Sequence, residues 1–226
     1  MKRISELKNE AIYALEGKWL KSALITLIIA LIAWAISCGQ GYQSTVVRIE
    51  IYPYVQIEYN PLWLTFFSII GWLILIPVYY GFQVAMLQIK RGGKAEVGVL
   101  FSGFKDYERI FLTNLLRDVY IFLWSLLFII PGIIKYLSYS MTNYILKDRP
   151  DLSYNAAIEE SMRMMKWHKW KLFLLHLSFI GWALLCILTL GIGFFFLYPY
   201  EYVTEAAFYE NLKEEMATEI VTPADE

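Results

Sequence analysis

Long stretches without a charged residue are the feature that most limits how this 226-residue chain can fold. The apolar regions are 22–47, 59–89, 110–146 and 172–200. Only Arg117, Asp118 and Lys135 interrupt the third region, and only His176 interrupts the fourth. A helix needs about 20 apolar residues to cross the hydrocarbon core of a bilayer. The pattern therefore predicts an integral membrane protein.

Composition agrees and excludes several function classes. The chain is 58% hydrophobic and 18% charged, whereas a soluble domain has about 45–50% and 25%. A net charge of −1 argues against a nucleic-acid partner bound through a basic face. Two cysteines, Cys38 and Cys186, are too few for a disulfide framework or a metal cluster, so we predict no metal and no cofactor.

The third and fourth apolar regions are too long for one helix each, and each contains helix breakers near its middle. These are Pro131 and Gly132 in the third region and Gly191 and Gly193 in the fourth. Breakers at such positions mark a kink or a tight turn. The sequence leaves both open, and the charges of the flanking segments decide between them.

Lysine and arginine concentrate in segments that a membrane protein keeps in the cytoplasm. These basic segments are 1–21, 83–110 and 147–171, whereas Arg48 is the one lysine or arginine in the segment 39–61. If the three basic segments share one side, the chain between them crosses the membrane an even number of times. Regions three and four are then helical hairpins that turn at the outer surface.

The predicted fold class is therefore all-α, a polytopic helical membrane protein with six transmembrane helices and both termini in the cytoplasm. The fourth and sixth crossings, 133–146 and 194–211, are rich in polar residues. The alternative is thus four crossings, with these two segments re-entrant or interfacial.

Residues 1–212 are expected to form a single helical membrane domain. Segments 1–18 and 151–170 show the helical spacing of interfacial amphipathic helices. The outer loop, 39–61, alternates apolar and polar residues, so it forms either a β-hairpin or an extended loop. The tail, 213–226, is acidic and is expected to be disordered.

No catalytic template fits: the chain lacks Gly-x-Ser-x-Gly, His-Glu-x-x-His, Cys-x-x-Cys and a phosphate loop. Polar groups at membrane depth are costly there and are usually paired or face water. The candidates are Asn114, Arg117, Asp118, His176, Glu201 and Glu205. We predict that Arg117 pairs with Glu201 or Glu205 at the floor of a cytoplasm-facing cavity; alternatively, such a pair only lets polar helices fold.

Several stretches resemble the bacterial integral membrane family catalogued as domain of unknown function 975. They are 6–8, 15–19, 123–132, 157–162, 177–182, 189–193, 198–200 and 207–209. The resemblance implies a multi-pass protein of the bacterial cytoplasmic membrane, and it implies no reaction.

Three function classes remain. The first is a non-enzymatic membrane protein that binds membrane lipids or membrane protein partners through its cytoplasmic face. The second is a small transporter or channel with a polar cavity open to the cytoplasm. A membrane enzyme comes last, because the sequence offers neither a nucleophile–base pair nor a metal-ligand set.

Overall fold

The computed structural model describes residues 1–41, 49–51, 55–57 and 62–221. Within them the chain is all-α apart from one short β-ribbon. The elements in chain order are α1 (Ile4–Leu15), α2 (Trp19–Gly41), β1 (Ile49–Ile51), β2 (Val55–Ile57), α3 (Leu62–Lys90), a 3-10 helix η1 (Val97–Phe104), α4 (Tyr107–Leu127), α5 (Ile129–Tyr139), α6 (Thr142–Asp148), α7 (Tyr154–Met164), α8 (Lys169–Leu177), α9 (Ile180–Leu188) and α10 (Phe194–Val221).

The first long pair, α2 and α3, is antiparallel and closely packed. A Cβ atom at Gly71 of α3 would overlap the side chain of Ile36 in α2, so the two helices touch at this glycine. The strands β1 and β2 lie between them in sequence and pair antiparallel, with Ile49 opposite Ile57. Of the two conformations that the sequence left open for this loop, the structure has the β-hairpin, whose central residues 52–54 lie outside the described residues.

The second pair, α4 and α5, forms a hairpin whose helices separate at Phe128. This residue is extended, with φ −159° and ψ 149°. The helices run antiparallel, because Lys135 lies over the ring of Trp124 at 4.8 Å and the rings of Tyr120 and Tyr139 are 6.4 Å apart. The break thus precedes Pro131, which is the third residue of α5. A proline is tolerated there, because the first N–H groups of a helix have no partner within the helix.

The third hairpin joins α9 to α10 through the turn 189–193. Leu190 has φ 54° and Gly191 has φ 87°, so the chain reverses through left-handed backbone. A Cβ atom at Gly193 would lie 2.7 Å from Cys186 Sγ. The absence of a side chain at Gly193 therefore allows α10 to approach α9 closely.

Four described helical segments are long and apolar enough to span a membrane. They are Trp19–Ser37, Ile69–Lys90, Tyr107–Leu127 and Lys169–Leu188, the last of which runs through α8 and α9. The predicted crossing 133–146 is divided between α5 and α6, which have 11 and 7 residues. The predicted crossing 194–211 lies in α10, which carries several glutamates. The helices support a membrane protein with four candidate spans, two fewer than predicted.

Charged residues gather at one end of the bundle, which we call the polar end: α1, the end of α3, the residues that flank η1, α6, α7 and the second half of α10. Lys90 Nζ donates a hydrogen bond to Glu10 Oε2 at 2.6 Å, which ties the end of α3 to α1. The Lys2 backbone N–H donates to Asn211 Oδ1 at 2.9 Å, which ties the N-terminus to α10. Residues of the segments 1–21 and 83–110, which the sequence predicts on one side of the membrane, are thus in contact.

The polar end also contains the best-packed core. Large apolar side chains from several helices are almost completely buried, namely Leu7, Leu15, Met86, Leu87, Leu100, Tyr144, Phe208 and Tyr209. The glycines of α3 and η1 make this packing possible. A Cβ atom at Gly81 would overlap the backbone of Leu100, and one at Gly103 would overlap the backbone of Pro77.

Candidate functional site

The predicted polar residues converge on α10 from two sides. On the first side, His176 of α8 meets Glu201 of α10, with Nδ1 and Oε1 3.0 Å apart. The two side chains are 27% and 25% exposed, so the pair is sheltered but not sealed. The hydrogen bond fixes the base of the third hairpin, because it joins the strongly apolar halves of α8–α9 and α10 at one level.

On the second side, Arg117 bonds its own neighbour in α4. Its Nη2 lies 2.9 Å from Asp118 Oδ1, and its Nε donates to the same oxygen at 3.0 Å. The predicted ion pair of Arg117 with Glu201 or Glu205 is therefore not formed. The adjacent carboxylate satisfies the guanidinium without a contact between helices, and Glu201 already bonds His176.

Asn114 does not extend the Arg117–Asp118 pair. It is 2% exposed, and its Nδ2 donates to the backbone carbonyl of Ile110 at 2.9 Å. A side chain that bonds the preceding turn of its own helix is satisfied locally. Asn114 thus belongs to the packed part of α4.

Glu205 is the most enclosed of the ionisable candidates, at 6% exposed. It shares a cavity of about 70 Å³ with Arg117, Gln83, Tyr136 and Tyr202. Among the described residues, no hydrogen bond or ion pair reaches its carboxyl group. The structure therefore brings Arg117 and Glu205 to the walls of one small chamber without a direct bond between them.

This chamber is too small for an organic solute, because ligand pockets usually have about 300–1,000 Å³. Aromatic side chains close it, among them Tyr79, Tyr139 and Tyr202. Within the described residues, no three His, Cys, Asp or Glu side chains are grouped as metal ligands would be. The arrangement can hold a few water molecules between a cation and a carboxyl group.

The predicted turn residues fall in two different settings. Pro131 and Gly132 are inside the first turns of α5, and a Cβ atom at Gly132 would overlap Ser125 of α4. Gly191 and Gly193 lie in the turn between α9 and α10. The glycines Gly132 and Gly193 have the same role, because each faces a small residue across its hairpin.

A site that the sequence did not indicate is centred on Asp148, at the end of α6. Its carboxylate accepts two hydrogen bonds from Arg91, at 2.8 and 2.6 Å, and one from Lys213 at 2.6 Å. Tyr209 donates a fourth at 3.1 Å. Burial alone would raise the pKa of Asp148, but the bonds and charges of Arg91 and Lys213 outweigh it and lower the pKa to about 2.

The Asp148 cluster borders a groove of about 610 Å³. Its charged lining residues are Arg91, Asp148, Arg149, Glu160, Arg163, Glu210 and Lys213. The hydrogen bonds of this cluster join residues that are far apart in the sequence, so no spacing pattern in the sequence predicts them. The one signal in the sequence was the placement of Arg91 and Asp148 in polar segments that were both assigned to the cytoplasm.

Comparison with known proteins gives one match. A family model described as "Protein of unknown function (DUF975)" matches residues 1–138 and 128–216. No curated protein and no solved structure matches the chain. The match covers nearly the whole sequence and names no reaction, so the function has to be argued from the arrangement of residues.

Proposed function

The chain belongs to the DUF975 family, and from that premise we propose that it is a non-enzymatic membrane protein that binds lipid headgroups at its polar end. The bacterial cytoplasmic membrane is the proposed location. Both termini are placed in the cytoplasm because the basic segments lie at the polar end and lysine and arginine favour that side.

One observation carries the proposal: exposed tryptophans alternate with lysines where the candidate span Lys169–Leu188 begins. Trp167 is 83% exposed and Trp170 is 68% exposed. Lys166, Lys169 and Lys171 lie beside them in sequence. Tryptophan prefers the boundary between headgroups and acyl chains, and each lysine near an anionic membrane surface contributes about 1 kcal/mol of attraction.

A similar arrangement at the start of α2 supports the same boundary. Leu20 is 80% exposed in the first turn of α2, with Lys18 and Lys21 within two positions of it in the chain, and Tyr13 of α1 is 74% exposed. Apolar side chains on the surface beside lysines suit a headgroup layer better than bulk water. Lipid headgroups therefore fit both places where the chain enters the membrane.

The experiment measures the lipid that co-purifies with the full chain in mild detergent. In K166Q/K169Q/K171Q, the ratio of bound anionic to zwitterionic lipid should fall, by on the order of 100-fold if the three attractions add. The matched control K94Q/K105Q/K147Q removes the same charge from exposed lysines that have no exposed tryptophan beside them, and it should keep the wild-type ratio. Equal loss in both variants, or a wild-type ratio equal to that of the bulk membrane, would contradict the proposal. A co-purifying protein lost only from the first variant would favour a protein partner instead.

The alternative, a transporter or channel, has less support. Its best observation is the chamber between Arg117 and Glu205, and that chamber measures about 70 Å³ behind aromatic walls. A conducting path would need a polar cavity that continues past the middle of the bilayer. Flux of small ions or solutes into proteoliposomes that contain the purified protein would favour this alternative.

A further inference from the structure

The two short hairpins differ from the α2–α3 pair in how far they reach from the polar end. Tyr202 of α10 marks a common level, because its ring packs on Tyr79 and Phe82 of α3 at 5.9 and 5.0 Å. Thr26 and Ile29 of α2 line the same groove as Tyr79 and Tyr202. Ile121 of α4 and Tyr139 of α5 line the Glu205 chamber with Tyr79 and Tyr202. These contacts give a reference residue on each helix from which the length of the remaining helix can be counted.

Beyond that level the helices have unequal lengths. At 1.5 Å per residue, α2 continues from Thr26 for about 22 Å, and α3 extends back from Tyr79 for about 25 Å. By the same rule, α4 continues from Ile121 for about 9 Å, α5 extends back from Tyr139 for about 15 Å, and α10 extends back from Tyr202 for about 12 Å. The helical segments of the two hairpins beyond these reference residues are therefore roughly 10 Å shorter than those of the α2–α3 pair.

The uncharged arms of the hairpins have the same limit. In α4, Asp118 is the last charged residue before the tip, and nine residues, 119–127, remain. In the third hairpin, Lys8 of α1 donates to the carbonyl of Ser178 at 3.2 Å and lies 4.2 Å from the centre of the Phe179 ring. The helix α9 that follows has 9 residues. Nine residues span about 13 Å, close to half of a hydrocarbon core of about 30 Å.

The tips themselves are unsuited to water. Residues 122–130 are exposed without interruption, and Phe128, Ile129 and Ile130 are each more than 70% exposed. At the other tip, Leu188 is 80% exposed and Leu190 is 94% exposed. A loop that emerges from a membrane normally carries polar residues, and neither tip has a charged one.

The backbone at the tips is suited to an apolar medium, where an unpaired N–H group is costly. Every N–H group from Thr189 to Leu197 donates a hydrogen bond within the chain, and that of Gly193 uses the hydroxyl group of Thr189. At the first tip, Pro131 has no N–H group to satisfy. The turn between α9 and α10 thus meets a condition that a water-exposed loop does not have to meet, and at the tip of the α4–α5 hairpin the proline removes one N–H group that would need a partner.

From these lengths, exposures and bonds we infer that the α4–α5 and α9–α10 hairpins enter only the inner leaflet, where their tips contact acyl chains. In place of six crossings, α2 and α3 alone traverse the bilayer, and each hairpin enters and leaves on the cytoplasmic side. The termini stay on the same side under both topologies, so their location does not distinguish the two.

The test uses single cysteines in the full chain, after replacement of Cys38 and Cys186 by alanine. F128C and L190C report on the tips, S44C reports on the outer loop, and K166C reports on the polar end. In intact cells, a membrane-impermeant maleimide should label S44C and neither tip; K166C should label only after permeabilisation. Each tip should label after denaturation in SDS, which shows that its thiol is present.

Depth is then measured in proteoliposomes with a bimane fluorophore on each tip. A doxyl group near the end of the acyl chain should quench this fluorescence at least twofold more than a doxyl group near the headgroup. Labelling of either tip from outside, or stronger quenching by the shallow doxyl lipid, would overturn the inference. Quenching by neither lipid would also overturn it, because it would mean that protein covers the tips. L126C and I192C provide a second pair if the first variants do not fold.

The headgroup proposal is tested independently, because its variants change lysines of the polar end and its readout is co-purified lipid. If the hairpins cross the whole bilayer while lipid binding is unchanged, the hairpin inference fails and the headgroup proposal stands. If the hairpins stop at half depth but no anionic lipid co-purifies, the headgroup proposal fails and the hairpin inference stands.

Discussion

The polar end and the hairpin tips are built from similar apolar residues, yet they are stabilised in different ways. In the polar end, Phe208 is 0% exposed within a core that ion pairs surround. At the tip of the α4–α5 hairpin, Phe128 is 71% exposed and its neighbours are exposed as well. Side-chain packing therefore stabilises the polar end, whereas backbone hydrogen bonds and close helix contacts at glycine define the tips. Apolar content alone does not distinguish a packed core from a lipid-facing surface.

The largest expected difference comes from the same substitution made in each region. Phe208→Ala should lower the free energy of unfolding by about 4 kcal/mol, because a buried aromatic side chain leaves a cavity. Phe128→Ala should change it by less than about 0.5 kcal/mol. The measurement is an SDS titration of the purified protein, followed by tryptophan fluorescence. Equal losses in the two variants would mean that the tip is packed against protein.

Glycine to alanine gives the next largest contrast. Gly81→Ala should cost about 3 kcal/mol, because the new Cβ atom overlaps the backbone of Leu100 and η1 has to move. Gly181 in α9 has open space around it, so Gly181→Ala should leave stability unchanged or raise it by about 0.5 kcal/mol. The same titration compares them, and a tolerated Gly81→Ala would show that η1 packs loosely on α3.

Asp148 and Asp151 allow an enclosed ion pair to be compared with an exposed one. Its pKa is about 2 in the folded chain against 3.8 for a free side chain, which corresponds to about 2 kcal/mol of stability. This contribution is present above about pH 4 and is lost as the pH falls to about 2.

Asp148→Asn should therefore lower the free energy of unfolding at pH 7, and the gap to the wild type should shrink between pH 4 and pH 2. Asp151→Asn is the matched control. Its carboxylate is 62% exposed and bonds the exposed Arg149 at 3.3 Å, so no measurable loss is expected. A gap that does not change with pH would show that the Asp148 carboxylate is not the source.

The smallest expected effect is at the tip of the α9–α10 hairpin, where we expect stability to depend on backbone conformation rather than on side-chain packing. Gly191 has φ 87° with no neighbour within 4 Å, so Gly191→Ala adds strain without a clash. We expect a loss of about 1 kcal/mol. Leu188→Ala changes only a side chain that is 80% exposed, so it should cost less. If Gly191→Ala is neutral and Leu188→Ala is not, the tip depends on packing after all.

Helical spacing is a local property, so the sequence predicted helices in segments 1–18 and 151–170, where the structure has α1 and α7. Leu7, Ala11 and Leu15 are buried together on α1, and Ala157 and Ile158 are buried on α7. The charge-free runs correctly identified the four candidate spans. The predicted fourth crossing is not one continuous helix, because the run 110–146 is divided by a break at Phe128 and by another at 140–141.

Interactions between distant residues could not be predicted. Arg117 was expected to bond α10, but Asp118 is its immediate neighbour and satisfies it first. The His176–Glu201 bond and the Asp148 cluster depend on which helices become neighbours, and one sequence does not contain that information. The sequence predicted the turn of this hairpin at Pro131 and Gly132, whereas the helices separate at Phe128. The proline suggested a turn, but proline also fits the first turn of a helix.

The bond between Lys2 and Asn211 has a consequence for the order of synthesis. Its partners are 209 positions apart, so residues made early bind residues that are made much later. Until then part of the apolar face of α1 lacks its final partner, because Leu7 also packs into a core that includes Phe208 and Leu212. The contacts between α1 and α10 therefore form late, whereas those between α1 and α3 can form earlier.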